Sequence, residues 1–165
     1  MVCKLRNLPI LFFLILSSCG YYSFKGALPS HIKTVAVPLF ENNTEYPNVR
    51  ENLTNMIVDE FISDNSLSIT DESNADLIIS GVITSISQRA ASVVSGEQVE
   101  EYHVYVNVKV KCEDVKNNKA LWERTINEYG IMDANTADDT EREAAILAAM
   151  EKITEDILNN TLGYW

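Results

Sequence analysis

Between Glu101 and Val115 apolar and polar residues alternate without a break. Tyr102, Val104, Val106, Val108, Val110 and Cys112 fall on one side, and His103, Tyr105, Asn107, Lys109, Lys111 and Glu113 on the other. A period of two is that of a strand with one buried and one wet face. Lys116-Asn117-Asn118-Lys119 follows as a turn, and the returning strand points Ala120, Trp122 and Ile126 inward before ending near Tyr129. Upstream, Ala75 to Gln88 carries apolar residues on both faces (Ile78, Ile79, Val82, Ile83, Ile86), which predicts a central strand. Gly81 within it predicts the close approach of another element. Arg89 to Glu100 reads as a loop of about a dozen residues with an apolar tip, Val93-Val94. Loops of that length are often functional, and a plain excursion explains this one equally well.

Two stretches switch to helical spacing. From Pro47 to Asp64, Val49, Leu53, Met56, Ile57 and Phe61 form a stripe. In the last part of the chain Ile146, Ala149, Met150, Ile153 and Ile157 do the same, broadened by Leu147 and Leu158, as far as about Asn160. Asp138 with Glu141 predicts the N-cap of that second helix. Ile32 to Phe40 is β-branched and reads as a strand whose end Pro38 keeps out of a central ladder. Glu41 to Thr44 reads as a loop, and Leu67 to Thr70 as a short strand. The Leu162–Trp165 tail is apolar and predicts docking on the fold. Together these elements predict an α+β two-layer sandwich: a mixed sheet of four to five strands with both helices packed on one face.

The first 30 residues follow neither period. Lys4 and Arg6 precede the nine-residue apolar run Leu8 to Leu16, and Leu16-Ser17-Ser18-Cys19 follows it. A membrane-spanning helix needs about 20 apolar residues, so this run fits the core of a secretory signal. The branched residue, two small residues and cysteine spell a lipobox. Its chemistry places diacylglycerol on the Cys19 thiol, cleaves before Cys19 and acylates the new amine. A plain secretory signal with a chance cysteine is the alternative. The expected organisation is therefore residues 1–18 as a cleaved signal peptide, 19–30 as a lipidated tether with Tyr21, Tyr22 and Phe24, and 31–165 as one domain. Two or more acyl chains hold a protein stably at a membrane without spanning it.

Charge narrows the classes of partner. The chain has 13 basic and 24 acidic residues, a net −11, and loss of Lys4 and Arg6 makes it more acidic still. A nucleic-acid binder would show a basic patch or stripe, so no nucleic acid is expected. Cys112 is the one cysteine left after Cys3 is removed and Cys19 lipidated, which leaves no intrachain disulfide and reads as an inert core thiol. His31 and His103 lie near no motif, and His103 reads as a solvated residue of the wet strand face. Neither a metal-ligand spacing, a nucleophile elbow nor a phosphate-cradling glycine loop occurs, and the acidic clusters lack the order of a calcium loop. No enzyme, metal or cofactor is expected.

The lipobox, Cys19-Gly-Tyr-Tyr-Ser-Phe24-Lys-Gly26, Ile32-Lys-Thr-Val-Ala-Val37 and Phe40-Glu-Asn42 together resemble the LptE family of lipopolysaccharide-assembly lipoproteins, in its Bacteroidetes-type form. The resemblance implies an outer-membrane location, lipid-anchored, on the periplasmic side or within a barrel lumen. It implies a partner, the large β-barrel LptD, in which the protein acts as plug and assembly factor while lipopolysaccharide passes to the cell surface. It also implies lipopolysaccharide binding through basic residues, for which Arg89, Lys116 and Lys119 are the candidates; solvated turn cations are the alternative. Val35-Ala36-Val37-Pro38-Leu39-Phe40-Glu41-Asn42 is similar as well to lipoproteins that regulate peptidoglycan synthesis or build secretion pores. Glycine, not aspartate, follows Cys19, which favours the outer membrane.

Overall fold

The computed structural model describes residues 29–94, 98–136 and 138–163. The signal, Cys19, most of the tether, Gly96 and the closing Tyr164-Trp165 lie outside them. In chain order the elements are β1 (Thr34–Ala36), β2 (Glu41–Asn42), α1 (Val49–Asp64), β3 (Ser68–Ile69), β4 (Leu77–Val94), β5 (Gln98–Asp114), β6 (Lys119–Asp133) and α2 (Asp139–Leu162), with a single 3-10 turn at Glu72–Asn74.

The six strands make one mixed sheet, ordered β3-β1-β4-β5-β6, with β2 also on β4. β1 pairs with β3 and β4 in parallel, β2 pairs in parallel with Val82 and Ile83, and β4-β5-β6 is an antiparallel meander. The expected α+β sandwich is what forms, with one strand more than the sequence predicted. That strand is β2, which the sequence reading took as loop; two residues are too few to show a period.

Alternation on β5 survives intact. Val104, Val106, Val108, Val110 and Cys112 are buried, and they join Leu53, Ile57 and Phe61 of α1 and Ala149, Met150, Ile153 and Ile157 of α2 in one core. Both helices therefore cover the same sheet face. Fully burying a side chain of this size contributes roughly 1.5–3 kcal/mol, so this face holds the two layers together. Met56 is only half-buried, Leu158 is buried, and Leu147 remains 40% exposed on α2.

Helix ends follow local chemistry. Asn48 has a φ of 60°, which no helical residue adopts, so α1 starts at Val49 and not at Pro47. Asn65, at φ 57°, ends it, with its N–H donating to the Phe61 carbonyl. The Asp138 carboxylate accepts from the Glu141 N–H at 2.9 Å, the predicted cap of α2. α2 runs two residues past Asn160, to Leu162.

Four expectations need correction. The stretch read as a loop is strand where it is described: β4 continues through Arg89 to Val94 and β5 begins at Gln98. The pairing slips between Ala90 and Ser92 and again at Val93, and these irregularities erase the alternation that would have marked a strand. Ala120 points outward. Between Glu113↔Ala120 and Cys112↔Trp122 the register shifts, so Leu121 and Trp122 are both buried. β6 also runs past Tyr129 to Asp133. The first strand is shorter than Ile32–Phe40: after Ala36 the chain leaves the ladder through Pro38 and turns Phe40 into the core against Gly81.

Candidate functional site

Among the described residues no helix covers the second face of the sheet. Cross-strand register sorts its side chains into rows. Arg89, His103 and Ile131 form one row; Ser87, Tyr105 and Tyr129 the next; then Ser85, Asn107 and Asn127; then Val82, Lys109 and Thr125; then Ser80, Lys111 and Glu123.

The first two rows form an aromatic and cationic patch. The His103 ring stacks on Tyr129 with centroids 4.1 Å apart and planes 14° apart. Tyr105 lies 5.4 Å from Tyr129. The Arg89 guanidinium sits 5.2 Å from the Tyr105 ring centroid, and the Lys152 ammonium 4.6 Å from that of Tyr129. Lys152 comes from α2, around the β6 edge, and its Nζ also donates to the Tyr129 carbonyl at 2.7 Å. One otherwise open edge carbonyl is thereby satisfied. Ile131 is 56% exposed beside this cluster. Tyrosine, arginine and an exposed aliphatic side chain are the composition of a protein-contact surface.

The middle and lower rows are mostly polar, and their amides and charges pair with one another. Asn107 accepts from the Asn127 amide and donates to Ser85 Oγ at 3.0 Å. Lys109 pairs with Glu123 at 2.7 Å, and that hydrogen bond holds the Glu123 carboxyl below its usual range. Lys111 pairs with Glu113, which raises the Lys111 pKa. Beside these lysines Pro38, Leu39 and Val82 line an open groove of about 360 Å³, where the β4 edge is uncovered between β1 and β2.

The candidate cations do not share one site. Arg89 is on β4, opposite His103, and not at the base of a loop. Lys116 lies in the β5–β6 turn, and Lys119 opens β6 opposite Asp114. From His103 to Asp114 the strand covers roughly 36 Å at about 3.3 Å per residue. Cys19 lies outside the described residues. His103 is half-buried by its stack and not simply solvated, and His31 reaches Asp114 at 2.9 Å. Burial pushes the Cys112 thiol up to about 12. Among the described residues no three His, Cys, Asp or Glu side chains are placed to hold a metal ion. None of the described helices is long and apolar enough to cross a membrane. The Arg89–Tyr105–Tyr129–Lys152 patch escaped the sequence reading. Alternation put His103 and Tyr105 on the wet face, but only the β5–β6 register brings in Tyr129, and only helix docking brings in Lys152.

Solved structures share the fold at low identity. A protein from Xanthomonas campestris matches with a TM-score of 0.59 at 13% identity, covering 84% of this chain and 89% of that one. The PelC dodecamer protein from Paraburkholderia phytofirmans matches at 0.50 and 19%, covering 78% and 90%. Rare lipoprotein B from Shewanella oneidensis matches at 0.50 and 18%, covering 76% and 92%. A search of curated protein sequences returns no match. The family model described as LptE, lipopolysaccharide-assembly, matches residues 32–161, which span every element from β1 into the last turn of α2, and the chain belongs to that family.

Proposed function

We propose that the protein is an outer-membrane lipoprotein, anchored through a lipidated Cys19, that acts as plug and assembly factor of an LptD-type β-barrel during lipopolysaccharide transport to the cell surface. Family membership over residues 32–161 carries this reading. The geometry supports it. A compact sandwich with one uncovered, hydrogen-bonded polar sheet face suits the polar interior of a large barrel. The aromatic and cationic patch of Arg89, His103, Tyr105 and Tyr129 supplies the anchors such a contact needs. The work is then done by position and contact, without catalysis.

Affinity capture of the lipidated protein from detergent-solubilised membranes tests the reading. Recovery of a large outer-membrane barrel supports it, and depletion should lower both the assembled barrel and surface lipopolysaccharide. Capture of a penicillin-binding protein would replace it with regulation of peptidoglycan synthesis. A homo-oligomeric ring would replace it with a secretion-pore subunit. The anchor has its own test: Cys19→Ser should leave an uncleaved, unlipidated precursor, and normal processing of that variant would remove the lipoprotein claim.

A further inference from the structure

Charge is divided unevenly between the two layers of the sandwich. α1 and α2 together carry ten acidic side chains and three basic ones. All three bases are already engaged. Arg50 pairs with Glu51 at 2.9 Å, Arg142 with Asp139 at 2.6 Å, and Lys152 reaches the Tyr129 carbonyl at 2.7 Å. Between the helices runs an open groove of about 440 Å³, lined by Met56, Asp59, Glu60 and Ser63 of α1 and by Glu151, Thr154 and Glu155 of α2. Among the described residues none of its four carboxylates is in an ion pair. Thr154 adds a second unmet demand. It is 4% exposed, and among the described residues its hydroxyl has no hydrogen-bond partner. The hydroxyls of Thr54 and Thr161 instead donate to the carbonyls four residues back, each at 2.7 Å.

We infer that this groove is a second docking surface for the barrel, and that it takes a segment of the barrel wall bearing lysine or arginine side chains. The inference rests on the barrel-plug reading and adds the chemistry of the wall that the helices face. A plug inside a lumen meets wall on more than one side, so the helix layer needs a counterpart as much as the open sheet face does. Charge selects that counterpart. Partners place opposite potentials against each other, and like charges across an interface are costly. An acidic wall or a phosphate is therefore repelled here. A guanidinium or ammonium group meets both demands: its charge faces the carboxylates, and the Thr154 hydroxyl can turn about χ1 to accept from one of its N–H groups.

The surroundings of the groove favour a protein segment over a small cation. Among the described residues no three carboxylates are drawn together as a metal ion would need. Ile62 is 59% exposed, three residues from Asp59, and Leu147 is 40% exposed, four residues before Glu151. Residues at those spacings share a helix face. Aliphatic side chains beside carboxylates match a segment in which apolar residues stand among bases; a free ion leaves Ile62 and Leu147 in water. The opposite layer differs in chemistry, with Arg89 and the His103–Tyr129 stack on its open face. The two layers thus fix the rotation of the domain in the lumen, with the helices turned toward the basic sector of the wall.

The test uses the full-length protein in cells, with a photoreactive side chain at Ser63, on the groove, or at Ile131, on the open sheet face. Mass spectrometry identifies the crosslinked peptides. Ser63 should crosslink to a barrel segment that contains lysine or arginine, and Ile131 to a different segment. Asp59→Lys, Glu151→Lys and Glu155→Lys together should lower recovery of the barrel by about tenfold or more, the scale of close interfacial charge pairs. Replacing the crosslinked bases of the barrel by glutamate should restore it. The three carboxylates are exposed, so the thermal melt of the variant should stay near that of the parent; the Ser63 crosslink decides the matter should it not. Crosslinks from Ser63 to a second copy of this chain, to no protein or to a segment without bases overturn the inference, as does undiminished recovery of the barrel. In each of these cases crosslinks from Ile131 to the barrel leave the plug reading in place. Failure of the parent protein to recover any barrel overturns both.

Discussion

The Phe40 ring occupies the space that a side chain at Gly81 would need. A Cβ at position 81 would lie 2.5 Å from Phe40 Cε1 and 2.6 Å from the Lys109 carbonyl oxygen. Phe40 can move; the Lys109 carbonyl, fixed in the β4–β5 ladder, cannot. Gly81→Ala should therefore destabilise the domain by about 1–3 kcal/mol, the usual cost of overpacking. Gly130→Ala should cost at least as much, because its Cβ would meet the Ala145 backbone where α2 crosses β6. Urea unfolding of both variants checks this, and a midpoint unchanged for either would show that the ladder yields there.

Cys112 is the next measurable feature. It is fully buried on β5 beneath α2, and its thiol is pushed up to about 12 by burial first, with the Glu113 and Asp114 charges adding to the effect. A thiolate is the reactive form. In a domain lacking Cys3 and Cys19, Cys112 should resist a disulfide reagent at pH 8 and react at once in denaturant. Rapid native labelling would mean that α2 opens readily from the sheet.

Acid should loosen the end of the domain where His31 meets Asp114 first. The Asp76 carboxyl is held below its usual range mainly by the Lys33 N–H, with the Thr34 hydroxyl and N–H assisting against burial. For Asp114 burial is the largest influence and raises the pKa, but hydrogen bonds from Asn117 and His31 outweigh it and the net shift is downward. A carboxyl with a depressed folded pKa gives stability that is present above the unfolded value, about 3.9, and is lost as pH falls through the folded one. Stability should thus be level above about pH 5 and drop below about pH 4. Asp114→Asn should shallow that drop. Thermal melts from pH 2 to 7 measure it, and an unaltered slope in the variant would detach Asp114 from acid sensitivity.

How far these features were legible depends on how many residues repeat the same environment. β5 alternates for its whole described core because one face meets both helices and, among the described residues, the other meets none. Both helix stripes were legible for the same reason. What escaped were places where a single residue departs from the period: the bulge at Leu121 that exposes Ala120, and the slips near Ser92 that disguised strand as loop. β2 is too short to carry a pattern. The contact patch was invisible for a different reason. Arg89, Tyr105, Tyr129 and Lys152 come from three strands and a helix, and only tertiary register assembles them.

That register separates the candidate lipopolysaccharide ligands into two independent sets. Arg89 stands with Tyr105 at one end of the open face, and Lys116 and Lys119 stand at the other. Sites this far apart, with no shared partner, act additively. If Arg89 contacts a lipopolysaccharide phosphate, Arg89→Ala should weaken binding by about 1.5–3 kcal/mol, the worth of a hydrogen bond to a charged group. Lys116→Gln with Lys119→Gln should leave the residual affinity of either background unchanged. Binding isotherms of the single, double and triple variants against purified lipopolysaccharide resolve the cases. A loss that follows the two lysines would move the ligand to the β5–β6 turn, and unaltered binding in the triple variant would return all three to solvated surface cations.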